Sequence, residues 1–187
     1  MFGLIGKHLS KDLTLEEKIG QLFVFGFDAL EVNDHAINLI KTYKAGNVIL
    51  FARNVHTPKQ LYKLNQNLQK LALETLGIPL IICIDQEGGM VTRILDGGTF
   101  FPGAMTIAAS HDPKNAYLVG KHMGQELKAL GINMNFAPVL DVNNNPKNPV
   151  IGVRSFSDDP QMVCDYGIAF IKGLQENVIA TGKHFPG

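Results

Sequence analysis

Five ionisable side chains lie at the ends of apolar runs of this sequence or in the polar segments that follow those runs. They are Asp85, Arg93, Arg154, Lys183 and His184. A carboxylate can accept hydrogen bonds from two neighbouring hydroxyl groups, and a guanidinium presents a rigid fork of N–H donors. The carboxylate therefore suits a sugar, and the guanidinium groups suit sugar hydroxyls or a carboxylate.

Asp85 follows five apolar residues and precedes Gly88 and Gly89. The glycine pair favours a ligand-binding role, because glycine lets the backbone come close to a ligand. A structural role remains open, in which Asp85 caps the next helix or pairs with Arg93.

Arg154 lies in the long irregular segment 148–160, and such segments often carry function. The alternative is that Arg154 pairs with Asp158 or Asp159 and only ties the loop together. Asp141 ends an apolar run and could orient a lysine or an arginine, but a structural role is favoured for it.

Lys183 and His184 are adjacent at the end of another apolar run. On a regular strand their side chains would point to opposite sides, unless the strand twists at its end. A lysine at a strand end could be a Schiff-base nucleophile, and this is the main rival chemistry. For His184 the alternative is a buried imidazole that is satisfied by a neighbouring carbonyl.

The elements that position these residues alternate between strand and helix. Near-continuous apolar runs predict five strands: QLFVFGF (21–27), GNVILF (46–51), PLIICID (79–85), NMNFAPVLDV (133–142) and NVIATGKHF (177–185). Helices are predicted from Thr14, with Glu17 completing a capping box, and near 31–44, 58–76, 113–130 and 158–176. Pro58, Pro113 and Pro160 fall close to helix starts.

This alternation predicts a parallel α/β sheet with its ligand site at the carboxyl ends of the strands. A doubly wound open sheet and an incomplete (β/α)8 barrel both fit, since a whole barrel needs about 250 residues. The sequence has neither a dinucleotide-binding glycine motif nor a phosphate-binding loop, and this weakens the nucleotide-binding version of the open sheet.

Composition excludes several classes of function. The 187 residues are 45% hydrophobic and carry no net charge, so nucleic acid and anionic membranes are not expected partners. We find no membrane span and no secretory signal. With two cysteines a disulfide framework is not expected, Cys83 is predicted to lie in the core, and the chain is expected to be cytoplasmic.

Five segments together resemble the N-terminal catalytic domain of glycoside hydrolase family 3, and its β-N-acetylhexosaminidase branch most closely. They are LTLEEKIGQLFVFGF, IDQEGGMVTRI, GINMNFAPVLDV, NPVIGVRSFSDDP and GKHFPG. The KHFPG form favours this bacterial branch, which recycles cell-wall and muropeptide sugars, over the β-glucosidases of the same family.

The resemblance implies a fold and a site. The fold would be α/β, a TIM-like (β/α)8 barrel of which residues 1–187 hold about the first five β/α units. Asp85, Arg93, Arg154, Lys183 and His184 would bind a terminal N-acetylglucosamine, with Lys183 as a hydrogen-bond donor. No cofactor or metal is implied.

In the family, KHFPG continues into a loop with a histidine–aspartate acid/base pair, and the aspartate nucleophile comes later. The resemblance therefore implies no catalytic residue within this chain, which is expected to be a truncated and inactive sugar-binding half of a retaining enzyme. A non-catalytic sugar-binding or interaction domain and a β-glucosidase are the alternatives. Unpaired barrel edges are expected to cause self-association.

Overall fold

Five parallel strands lie side by side in chain order. The computed structural model describes residues 13–186. The strands are β1 (Val24–Phe25), β2 (Asn47–Leu50), β3 (Ile81–Ile84), β4 (Met134–Asn135) and β5 (Ile179–Ala180). Every neighbouring pair is parallel, in the order β1-β2-β3-β4-β5. A barrel keeps chain order whereas a doubly wound sheet reverses it, so the barrel prediction is confirmed over these five strands.

The predicted helices are present, the first before β1 and the others between strands. They are α1 (Leu15–Gly20), α2 (Asp34–Lys41), α3 (Pro58–Leu76), α4 (Ala104–Ala108), α5 (Pro113–Ala129) and α6 (Pro160–Leu174). The capping box of Thr14 and Glu17 at α1 is confirmed. Prolines begin α3, α5 and α6, where the missing N–H has no helical partner to lose.

The strands are shorter than predicted. The run 133–142 forms regular strand only at β4, partly because Pro138 has no N–H to donate to a ladder. Beyond β4 and β5 the pairing continues as one isolated bridge between Val139 and Lys183. The short helix α4 was not predicted, since its five residues are too few to show a helical period.

Glycines bring α5 and α6 into very close contact. A Cβ atom on Gly120 would overlap the Phe170 carbonyl, and one on Gly173 would overlap the Tyr117 carbonyl. Only a residue without a side chain therefore fits at these two positions. The contact fixes α6 against α5, and in chain order α6 connects the loop after β4 with β5, the two parts of the chain that carry Arg154 and lead to Lys183.

The apolar core lies between the sheet and the helices and includes Ile82 and Ile84 of β3. Cys83, which alternates with them along the strand, is fully buried as predicted and lies next to Met134 of β4. Within residues 13–186, β1 and β5 are each paired along one edge only. Exposed apolar side chains lie next to those edges, among them Leu22, Phe23 and Ile179. None of the helices described here is long and apolar enough to cross a membrane.

Candidate functional site

The loop after β3 is held in place by a buried asparagine on β4. Asn135 Oδ1 accepts a hydrogen bond from the Gln86 N–H at 2.9 Å, and Asn135 Nδ2 donates to the Gln86 carbonyl at 2.8 Å. Both residues are almost fully buried. Because Gln86 lies between Asp85 and Glu87, this pair of hydrogen bonds positions both carboxylates.

The same loop folds back on itself and thereby places Arg93. The Gln86 side chain accepts a hydrogen bond from the Arg93 N–H at 2.7 Å, and the Glu87 N–H donates to the Val91 carbonyl at 2.9 Å. Gly88 has a φ of +88°, and a Cβ atom there would lie 2.5 Å from the Pro102 carbonyl oxygen. The turn therefore requires glycine at this position.

Five charged side chains meet above the carboxyl ends of β3, β4 and β5. Lys183 Nζ lies 3.0 Å from Asp85 Oδ1 and 2.5 Å from Glu87 Oε1. Arg154 forms a bidentate pair with Glu87, with Nη2–Oε1 and Nε–Oε2 distances of 2.8 and 2.9 Å. Arg93 Nη2 lies 3.8 Å from Asp85 Oδ2. The structure thus brings four of the five candidate residues into one ion-pair network.

Glu87 is at the centre of this network, and the sequence reasoning missed it. Its side chain is 7% exposed, less than any other charged group of the cluster. The available signal was an acid two residues after Asp85, directly before the two glycines. The alternative pairing of Arg154 with Asp158 or Asp159 is wrong, because Arg154 pairs with Glu87. Asp159 instead caps α6.

His184 lies at the edge of the network and pairs with Asp141. The distance from His184 Nδ1 to Asp141 Oδ2 is 2.6 Å. Asp141 thus orients a histidine and not the lysine or arginine considered for it. Lys183 and His184 lie beyond the end of β5, where the regular-strand expectation of opposite sides does not apply, and both line the same cleft.

The cleft is open and has a volume of about 510 Å³. Its walls include all five candidate residues and Glu87, with Phe136 as an apolar element. A second, mainly apolar cavity of about 230 Å³ is also lined by Glu87 and Arg154. The Glu87–Arg154 pair therefore borders both spaces.

The network retains hydrogen-bonding capacity for a ligand. Hydrogen bonds to Glu87 and Val150 use three of the five N–H donors of Arg154. The contacts of Lys183 with two carboxylates account for two of its three donors. Asp85 Oδ2 has Arg93 only at 3.8 Å, so it can accept further hydrogen bonds.

Glu87 and Arg154 stabilise each other's charged forms. Burial is the largest single influence on Glu87 and raises its pKa, but the hydrogen bonds and charges of Arg154 and Lys183 together hold the pKa below its ordinary value of 4.5. The hydrogen bond to Glu87 raises the pKa of Arg154 despite its partial burial. Glu87 is therefore ionised at neutral pH.

Stability should depend on pH through Glu87. Because its pKa is lower in the folded state, the ion pairs stabilise the chain above about pH 4.5, and this contribution is lost as the pH falls through the folded pKa. Glu87→Gln is expected to cost about 3 kcal/mol of unfolding free energy at pH 7. The difference from the unsubstituted chain should shrink towards pH 3, as measured by urea unfolding at several pH values.

Glu74→Gln is the matched control for this experiment. Glu74 is exposed and lies 3.8 Å from Lys70 one helical turn away, so its replacement should change stability little at any pH. A Glu87→Gln deficit that stays constant from pH 7 to pH 3 would contradict the ionic origin of the effect.

Residues 14–187 match the family described as "Glycosyl hydrolase family 3 N terminal domain". The chain is 46% identical to "Beta-hexosaminidase A" of Pseudoalteromonas piscicida over 155 residues, which are 80% of this chain and 26% of that protein. It spans about a quarter to a half of the length of the curated relatives it matches.

Two solved structures have the same fold. A family 3 β-N-acetylglucosaminidase from Paenibacillus sp. str. FPU-7 superposes with a TM-score of 0.92 at 50% identity, over 94% of this chain and 34% of that chain. NagZ from Neisseria gonorrhoeae, in complex with N-trifluoroacetyl-D-glucosamine, gives 0.80 at 32% identity, over 88% and 50%. This chain belongs to glycosyl hydrolase family 3, and residues 14–187 match the family's N-terminal domain.

Proposed function

We propose that this chain binds the terminal N-acetylglucosamine of a β-linked saccharide, as the sugar-binding half of a retaining β-N-acetylhexosaminidase. The observation that carries the proposal is the convergence of Asp85, Arg93, Arg154 and Lys183 on one cleft with hydrogen-bonding capacity to spare. Relatives named β-hexosaminidase and β-N-acetylglucosaminidase support the choice of sugar.

The candidate residues divide into one acceptor and several donors. Asp85 would accept hydrogen bonds from two sugar hydroxyls through the oxygen that faces the cleft. Lys183 and the two arginines would donate to ring substituents, and His184, held by Asp141, would close one side. The N-trifluoroacetyl-D-glucosamine bound to the Neisseria protein is a ligand of this chemical type.

Hydrolysis is proposed to depend on residues outside these 187. A retaining glycosidase needs a nucleophile and an acid whose pKa is raised towards the working pH. Glu87 is unsuited to act as this acid, because its ion pairs with Arg154 and Lys183 lower its pKa against the effect of burial. The acid/base loop and the nucleophile that the family resemblance implies follow KHFPG, so the polypeptide of residues 1–187 alone should bind sugar without hydrolysing it.

The rival hypothesis, that Lys183 is a Schiff-base nucleophile, is disfavoured. A Schiff base requires a neutral amine, whereas the Lys183 ammonium contacts two carboxylates. A role in cell-wall sugar recycling, a cytoplasmic location and self-association through β1 and β5 stay predictions. A β-glucosidase and a non-catalytic sugar-binding or interaction domain are the alternatives.

The test is a titration of the chain with N-acetylglucosamine and with glucose, in which binding is measured by NMR. We expect N-acetylglucosamine to bind more tightly than glucose, and Asp85→Asn to weaken binding about tenfold or more, because a charged hydrogen-bond acceptor is lost. Asp165→Asn on the exposed side of α6 is the matched control and should bind as the unsubstituted chain does.

Tighter binding of glucose would favour the β-glucosidase alternative. Failure of both sugars to bind would overturn the proposed function. An aryl β-N-acetylglucosaminide assayed in parallel should show no turnover above background, since removal of catalytic groups costs several orders of magnitude in rate. Turnover that survives repurification would place a nucleophile within these residues.

A further inference from the structure

We propose that Glu87 is a positioning residue that sets the spacing and orientation of Lys183 and Arg154, two of the cations that line the cleft. This inference rests on the proposed function, because it concerns how the same cleft holds its sugar. It assigns a role to a residue that need not touch the ligand.

One carboxylate oxygen connects the two cations. Glu87 Oε1 lies 2.5 Å from Lys183 Nζ and 2.8 Å from Arg154 Nη2. Glu87 Oε2 accepts the Arg154 Nε–H at 2.9 Å, so the guanidinium plane is fixed by two parallel hydrogen bonds. The two cations come from different loops, and Glu87 is their common partner.

The charge balance of the cluster shows why Lys183 and Arg154 need the carboxylate of Glu87 between them. The cluster of Asp85, Glu87, Arg93, Arg154 and Lys183 holds two carboxylates and three cations, a formal charge of +1. Without the carboxylate of Glu87 the charge would be +2, and Lys183 and Arg154 would face each other without a shared counter-ion. Two positive charges that both lie next to the same carboxylate oxygen repel each other once the carboxylate is removed, so the Lys183 and Arg154 side chains should separate.

Glu87 is itself rigidly placed. Its N–H donates to the Val91 carbonyl, and the preceding residue is held by Asn135. Its carboxylate is almost wholly covered, and three of its acceptor positions are already occupied by the two cations. Glu87 is thus built to act on the neighbouring side chains and is poorly placed to bind a sugar directly.

The experiment compares Glu87→Gln, Glu87→Asp and Glu87→Ala with the exposed control Glu74→Gln. N-acetylglucosamine affinity is measured by NMR titration of the whole chain, and circular dichroism checks folding. The Arg154 Nε–H resonance is observed as well, because the hydrogen bond to Glu87 should slow its exchange with water. Glu87→Ala is also titrated with added formate, with acetamide as the uncharged comparison.

We expect Glu87→Gln to weaken N-acetylglucosamine binding about tenfold or more and to abolish the slow Arg154 Nε–H signal. Glu87→Asp should bind with intermediate affinity, since its shorter carboxylate cannot reach both cations equally. Formate should partly restore binding by Glu87→Ala and acetamide should not. A purely structural role would not produce this selective rescue by an anion.

Unchanged affinity in folded Glu87→Gln, or in Glu87→Asp if the glutamine variant does not fold, would overturn the inference. If the unsubstituted chain fails to bind the sugar, the proposed function falls and the Arg154 signal decides the positioning role by itself. Persistence of that slow signal in a folded Glu87 variant would overturn the role, and its loss would support it.

Discussion

Replacing Asn135 with leucine is expected to lower the free energy of unfolding by about 3–4 kcal/mol and to abolish sugar binding. Leucine has a similar volume but cannot pair with the buried N–H and carbonyl of Gln86. Each buried backbone group that loses its partner costs about 1–3 kcal/mol. The loop that carries Asp85 and Glu87 should then move, although neither carboxylate is changed.

Urea unfolding and titration with N-acetylglucosamine would measure the two effects. Asn38→Ala is the comparison, because Asn38 is an exposed asparagine on α2 and its replacement should leave both quantities nearly unchanged. A folded Asn135→Leu chain with unaltered affinity would mean that the β3 loop keeps its position by other contacts.

Replacing Gly173 with alanine is expected to destabilise the chain by about 2–3 kcal/mol, even though alanine is the better helix former by about 1 kcal/mol. The added Cβ atom would overlap the Tyr117 carbonyl oxygen and would also meet the Lys121 N–H. Because both are backbone atoms of α5, no side-chain rotation can make room. The two helices would have to move apart.

Thermal and urea unfolding of Gly173→Ala would test this expectation. Lys172→Ala introduces the same residue one position earlier, on the exposed face of α6, and should leave stability nearly unchanged. If Gly173→Ala instead raises the unfolding midpoint, the helix contact is looser than the structure indicates and propensity dominates.

The sequence by itself determined the order and type of the main elements. Long apolar runs, a capping box at Thr14 and prolines at helix starts are local signals, because they depend on residues a few positions apart. The same signals located Asp85 and Lys183 at strand ends, and strand ends of a parallel sheet meet at one edge. Hence the cleft could be predicted before any distance was known.

Only the tertiary structure decided which charged groups pair within that cleft. Arg154 pairs with Glu87, 67 residues away, and not with the acids four and five positions along the chain. His184 pairs with Asp141, 43 residues away. An ion pair depends on distances of a few ångströms between loops from different strands, and no local pattern encodes them. For that reason the residue at the centre of the network, Glu87, became visible only once β3, β4 and β5 were placed side by side.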